Sequence, residues 1–223
     1  MKNAIVASRS RTAIATFSSL MAMRLRLSIA RALRRPHGRL TTMDADHRLS
    51  RSRSALVVVD VQGSFPRIAH DAGGVLARLV SVLAIARIRG AAVVFTRQRF
   101  GDRTPELVAA LAPAEGDVVV TKESPDAFDG TDLSDVLAAT GTRCVVIAGF
   151  ATEACIDSTA RSALSRGFDV VLLSDCHTTT IDRGADPVAA PDVIAHYNAT
   201  FARLDYPGRS IAVVPAERVR FGS

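Results

Sequence analysis

Three side chains in this sequence are of types that do covalent chemistry and stand where their character is unexpected: Asp60, Lys122 and Cys155. Of 28 basic side chains only Lys2 and Lys122 are lysine, so a surface cation in this chain is ordinarily written as arginine. Lysine offers a compact ammonium with three movable donors, and a planar guanidinium does not replace it. A retained lysine therefore points to a position that arginine would not fill; the plainer alternative is a surface lysine kept by chance. Asp60 interrupts the apolar run Val57-Val58-Val59-Asp60-Val61, where a carboxylate either pins a loop or belongs to a site. Cys155 falls in the first turn of a helical pattern, where backbone N–H groups and the helix dipole favour a thiolate. A cysteine in such a pattern is more commonly a small core residue, and Cys144 and Cys176 fit that description.

Taken together, the three have complementary chemistry. A thiol of pKa about 8.5 is only a few per cent ionised at neutral pH. A carboxylate beside it can accept its proton, and an ammonium can stabilise the thiolate that results. Backbone N–H groups at the head of the Cys155 helix can receive an oxyanion.

The segments that must bring these residues together alternate in kind. Ser54–Val61 is a continuous apolar, β-branched run, expected for a strand buried on both faces. Further strands are expected at Ala91–Thr96, Asp117–Thr121, Arg143–Gly149, Asp169–Ser174 and Ser210–Val214. Helices are expected at Gly73–Arg89, Pro105–Leu111 with Thr104 as N-cap, Asp132–Ala139, Glu153–Arg166 and Pro191–Leu204. That alternation predicts an α/β fold: a doubly wound, mostly parallel six-stranded sheet with helices on both faces, Rossmann-like in plan. Ligands of such sheets bind outside the carboxyl ends of the strands. Asp60, Lys122 and Cys155 all fall at or just after strand ends, so one rim collects them.

Charge divides the chain in two. The formal net charge is +6, yet residues 1–42 hold nine basic side chains and no acidic one, leaving 19 basic against 22 acidic in 43–223, a formal −3. The Arg- and Ser-rich leader is expected to be disordered. It reads as a transit-like segment, as an over-extended start with translation from Met43, or as a basic arm. Residues 43–223 are the expected domain, and the overall basicity gives no ground for a nucleic-acid partner. Hydrophobic residues at 48% and charged residues at 22% exclude wholesale disorder. Three irregularly spaced cysteines argue against a disulfide scaffold or structural zinc and for a reducing compartment. The expected location is cytoplasmic, with organellar import if the leader is a transit peptide. No apolar run approaches the roughly 20 residues of a membrane helix, so no membrane partner is expected.

Three stretches carry a resemblance: ALVVVDVQGSF around Asp60, VVVTKESPDAFDGTDL around Lys122, and VVIAGFATEACIDSTARSALSRGFDVVLLSDC around Cys155. Over residues 54–215 or so the chain resembles the isochorismatase-like cysteine hydrolases, a family that includes nicotinamidases, N-carbamoylsarcosine amidases and ureide hydrolases. The resemblance implies that Asp60, Lys122 and Cys155 form an Asp-Lys-Cys triad, that the Phe150–Ala151 peptide bond is cis, and that the backbone N–H groups of Ala151 and Cys155 form an oxyanion hole. It implies hydrolysis of an amide, carbamoyl or ureide C–N bond of a small molecule through a Cys155 thioester. Gln62, Phe65, Gln98 and Phe150 become candidate substrate-binding residues, and a homodimer or homotetramer the expected assembly.

Departures from the family pattern narrow the expectation. Metal-dependent nicotinamidases carry an Asp-x-His pair after strand two, where this chain reads Thr96-Arg97-Gln98-Arg99-Phe100. His70 and Asp71 alone make a poor site; His196 reads as a packing or capping residue and His177 as a loop residue. Neither a metal nor a cofactor is expected. The short loop from Gln62 to Gly74 suggests an open or partner-completed pocket, and Arg97 and Arg99 are candidates to meet a substrate carboxylate. Isochorismatase-type vinyl ether cleavage and non-catalytic small-molecule binding remain as alternatives on the same framework. A phosphorelay receiver would need an acidic pair after strand one, and a dinucleotide-binding dehydrogenase a glycine fingerprint that Gly63 alone does not supply.

Overall fold

A computed structural model of the protein describes residues 53–181, 184 and 188–221; the basic leader expected over 1–42 lies outside them. Strand β1 (Ser54–Val59) is the run SALVVV, with every side chain buried. It can be apolar throughout because helices cover both of its faces. Leu56 and Val58 join Val75, Leu79, Val82, Leu83 and Ala86 in one apolar cluster. Ala55, Val57 and Val59 join Ile156, Ala160, Ala163, Leu164 and Phe201 in the other. The two-residue period of a strand thus divides a single run between two cores. Each fully buried Val, Leu, Ile or Phe side chain in them contributes about 1.5–3 kcal/mol.

The chain continues through α1 (Phe65–Ile68), α2 (Ala72–Ile88), β2 (Ala92–Gln98), β3 (Val118–Lys122), α3 (Leu133–Ala139) and β4 (Cys144–Phe150). A π-helical turn (Thr152–Ile156) leads into α4 (Asp157–Ser165), followed by β5 (Asp169–Thr178), α5 (Ala190–Phe201) and β6 (Ile211–Val214). The six strands form one sheet in the order β3-β2-β1-β4-β5-β6, and every pairing is parallel. This is the doubly wound α/β sheet read from the alternation of segments. The strand order reverses between β1 and β4, which places the ligand crevice at their carboxyl ends.

Three local expectations are corrected. Residues 105–108 do not form a helix, and only Ala109–Leu111 makes a 3₁₀ turn. Arg97 takes the carbonyls of Thr104 and Pro105, with nitrogen–oxygen distances of 2.8 and 3.1 Å. The segment instead bonds to the chain leaving β1, through Gly63 N–H to Glu106 O and Val108 N–H to Val61 O. The helix expected from Glu153 begins with the wider π turn before becoming α-helical at Asp157. Strand β5 runs past Ser174 to Thr178, so His177 is a strand residue, paired with Gly149 of β4, and not a loop residue. Among the described residues no helix is long and apolar enough to cross a membrane.

Candidate active site

Lys122, the last residue of β3, is 1% exposed. Its ammonium lies 2.7 Å from Asp60 Oδ2 and 3.4 Å from Cys155 Sγ. It also meets Gln98 Oε1 at 2.6 Å and the carbonyls of Ser124 and Pro125 at 3.0 and 3.4 Å. One buried ammonium therefore touches both of the other reactive groups. A buried ammonium with this many acceptors accounts for a lysine, and not an arginine, at position 122.

Asp60 follows β1 with a φ of +52°, in the left-handed region that aspartate tolerates better than most side chains. Such a conformation costs on the order of 1–3 kcal/mol and is held by its surroundings. The Thr96 hydroxyl donates to Asp60 Oδ1 at 2.6 Å. The Asp60 N–H reaches Thr96 O and Thr96 Oγ1, each at 3.2 Å. Oδ2 accepts no conventional hydrogen bond from a hydroxyl or amide and meets the Lys122 ammonium. In the sequence Thr96 is read only as the end of strand two; the structure shows its side chain fully buried, at 0% exposure.

Cys155 stands in the π turn and is the one cysteine of the three with solvent access, since Cys144 and Cys176 are buried. Burial pushes the Cys155 thiol up to about 11; the Asp60 charge and a hydrogen bond to that carboxylate act in the same direction, while Lys122 pulls it down. Burial likewise carries Cys144 and Cys176 up to about 12. Burial and the Asp60 carboxylate thus make Cys155 hold its proton more tightly than a free thiol does, against the pull of the Lys122 ammonium. The Phe150–Ala151 bond just before the turn is cis. The Ala151 carbonyl accepts from the N–H groups of Ala154 and Ile156, both at 3.1 Å.

The four candidate substrate residues divide. The Gln62 amide is engaged with the Gln98 main chain, donating to its carbonyl and accepting from its N–H, each at 2.8 Å. Phe65 is 1% exposed and packs edge-on against Phe150, their ring centres 5.6 Å apart. Gln98 turns its amide oxygen to Lys122 and its NH₂ to the carbonyls of Glu123 and Arg99, at 2.7 and 3.1 Å. Phe150 remains partly exposed beside the Cys155 turn. Arg97 braces the 104–106 segment and pairs with Glu106 at 2.9 Å, while Arg99 pairs with Glu123 at the rim. Asp71 is held by Arg78 at 2.7 Å. Among the described residues no group of three or more His, Cys, Asp or Glu side chains is placed to hold a metal ion.

Residues 54–202 match the isochorismatase domain family. The chain belongs to that family and is one of its hydrolases. Streptothricin hydrolase of Streptomyces noursei is 36% identical over 192 residues, covering 80% of this chain and 75% of that protein. Maleamate amidohydrolase of Pseudomonas putida is 29% identical over 183 residues, covering 69% of this chain and 84% of that protein. The crystal structure of a cysteine hydrolase from Pseudomonas syringae pv. phaseolicola superposes with a TM-score of 0.65 at 26% identity, covering 74% of this chain and 90% of its own.

Proposed function

We propose that this isochorismatase-family hydrolase cleaves a C–N bond of a small molecule, in an amide, carbamoyl or ureide group, through a thioester on Cys155. The carrying observation is the Lys122 ammonium in contact with both Asp60 and Cys155, at 2.7 and 3.4 Å. The similarity to a maleamate amidohydrolase and a streptothricin hydrolase supports the choice of bond. Asp60 accepts the Cys155 proton and the sulfur attacks the carbonyl carbon, sending the π electrons to oxygen. The N–H groups of Ala151 and Cys155 receive that oxyanion, and Lys122 balances the charge passing between sulfur and carboxylate. Collapse breaks the C–N bond, and the amine leaves with the proton held by Asp60. Water then gives a proton to Asp60 and attacks the thioester; the sulfur departs and takes that proton back. The net reaction consumes one amide and one water and yields an acid and an amine.

Phe150, partly exposed beside the Cys155 turn, and Gln98, bonded to Lys122, are the proposed substrate contacts. The assembly proposed is a homodimer or homotetramer, which light scattering on the purified protein measures directly. The reaction is tested by following ammonia or amine release from a panel of amides, carbamates and ureides, and carbonyl product from one vinyl ether, with wild type and Cys155→Ala. Turnover of a C–N substrate that disappears in the variant, with an acyl adduct on Cys155 by mass spectrometry, is expected. Turnover that survives in Cys155→Ala, or of the vinyl ether alone, would sink the reading.

A further inference from the structure

The end of β5 lies against the turn that carries Cys155, with Gly149 opposite His177 and Phe150 opposite Thr178. Alternate residues of a strand face opposite ways. The Thr178 hydroxyl donates to His70 O at 2.7 Å, while the His177 ring turns to Thr152, the first residue of the π turn. His177 is 1% exposed and Thr152 0%. Both ring nitrogens are engaged, Nδ1 at 2.9 Å from Thr152 Oγ1 and Nε2 at 2.9 Å from Asn198 Oδ1.

The direction of this chain of hydrogen bonds is set at its far end. Asn198 Nδ2 donates to the Ser174 carbonyl at 2.9 Å, and a carbonyl can only accept. Asn198 therefore presents its oxygen to His177, Nε2 carries the ring proton, and Nδ1 offers a lone pair to the Thr152 hydroxyl. Burial lowers the His177 pKa, in keeping with a neutral ring. The turn bearing Cys155 is thus tied by side chains to β5 and α5, two elements that supply none of the three reactive groups.

We propose that His177 is a positioning residue for Cys155: by accepting the Thr152 hydroxyl it holds the turn so that the sulfur faces Lys122 and Asp60. The inference rests on the reading of Cys155 as nucleophile. Its energetic reach is considerable, because a misplacement of about 1 Å can cost about 10²-fold in rate.

The two nitrogens of the ring can be removed separately. His177→Asn places an amide oxygen near the Nδ1 position and keeps an acceptor for Thr152. His177→Gln reaches toward Asn198 and leaves the Thr152 hydroxyl without its acceptor. Thr152→Val removes the hydroxyl at constant shape, and Thr152→Ser keeps it. Three quantities are read for each: the rate of Cys155 alkylation by iodoacetamide against a Cys155→Ala blank, kcat and KM on the amide turned over, and the urea midpoint. His177→Gln and Thr152→Val are expected to slow alkylation and kcat by ~10–100-fold with KM within about twofold. His177→Asn and Thr152→Ser should recover both rates to within about threefold. Rates that merely follow the urea midpoint across the four variants, or that stay unchanged in the two disruptive ones, overturn the proposal. Should one partner's variants fail to fold, the other pair gives the same comparison. The alkylation pattern needs no substrate, so it can stand even if no amide is hydrolysed, which separates the two readings.

Discussion

The Lys122 ammonium has three N–H groups and meets four oxygens and one sulfur, from Asp60, Gln98, Ser124, Pro125 and Cys155. A planar guanidinium cannot distribute its donors over that set from the same cavity. Lys122→Arg is therefore expected to lower kcat by more than about 10²-fold although the charge is kept; kcat within tenfold of wild type would show that charge alone suffices. Removing the cation altogether is less informative, because a buried carboxylate left unpaired costs about 3–5 kcal/mol. Asp60 gives a sharper test through the thiol it touches. Burial comes first in raising Cys155 to about 11, and the Asp60 charge and hydrogen bond raise it further. Asp60→Asn deletes the charge, so the pH at which iodoacetamide alkylation of Cys155 reaches half its plateau should fall while hydrolysis is lost. A midpoint that stays put or rises would contradict the contact. The three residues stood out in the sequence because each breaks a local habit: lysine among arginines, a carboxylate in an apolar strand, a thiol at a helix head. Thr96 and His177 break no such habit strongly enough, since a threonine in a strand and a histidine after one are ordinary.

Strand β4 pairs with Val59 of β1 at Gly149, which has a φ of +126° and where a Cβ would stand 2.1 Å from the Val59 carbonyl oxygen. Only glycine fits a left-handed residue against a neighbouring backbone this near. Gly149→Ala is expected to destabilise the fold by at least about 3 kcal/mol, combining strain with overpacking. The urea midpoint measures it, and a change under about 1 kcal/mol would mean that the two strand ends can part. All six strands were legible from their apolar, β-branched runs: β1 and β4 are buried on both faces and need no alternation to declare themselves, and the edge strands β3 and β6 keep the same composition though partly exposed. The 105–108 segment was misread for the opposite reason. Its spacing suits a helix, yet Arg97 and the main chain at 61–63 take the polar groups that a helix would need. The length of β5 was also hidden, since SDCHT lacks an apolar signature and pairs only because β4 extends beside it.

Charge and metal chemistry belong to the molecule as a whole. Residues 1–42 carry a formal +9 and the remainder −3, which sum to the formal +6, so the candidate site sits in an acidic portion of a basic chain. The proposed chemistry uses a thiol, a carboxylate, an ammonium and backbone donors, and routes no step through a metal. Dialysis against a chelator is therefore expected to leave hydrolysis within about 20% of the untreated rate; a large loss restored by one divalent metal would overturn that expectation. Fold class and strand number were readable along the chain, and three candidate side chains could be singled out there, because apolar period, helix period and the character of a thiol or an ammonium are local properties. Contact between those side chains is not local. Whether Gln98 faces Lys122 and whether Asp60 reaches Cys155 depend on the register of parallel strands joined by long crossovers, and side-chain patterning leaves such register open. The packed sheet, with its order reversing between β1 and β4, resolves it and turns three separate candidates into one site.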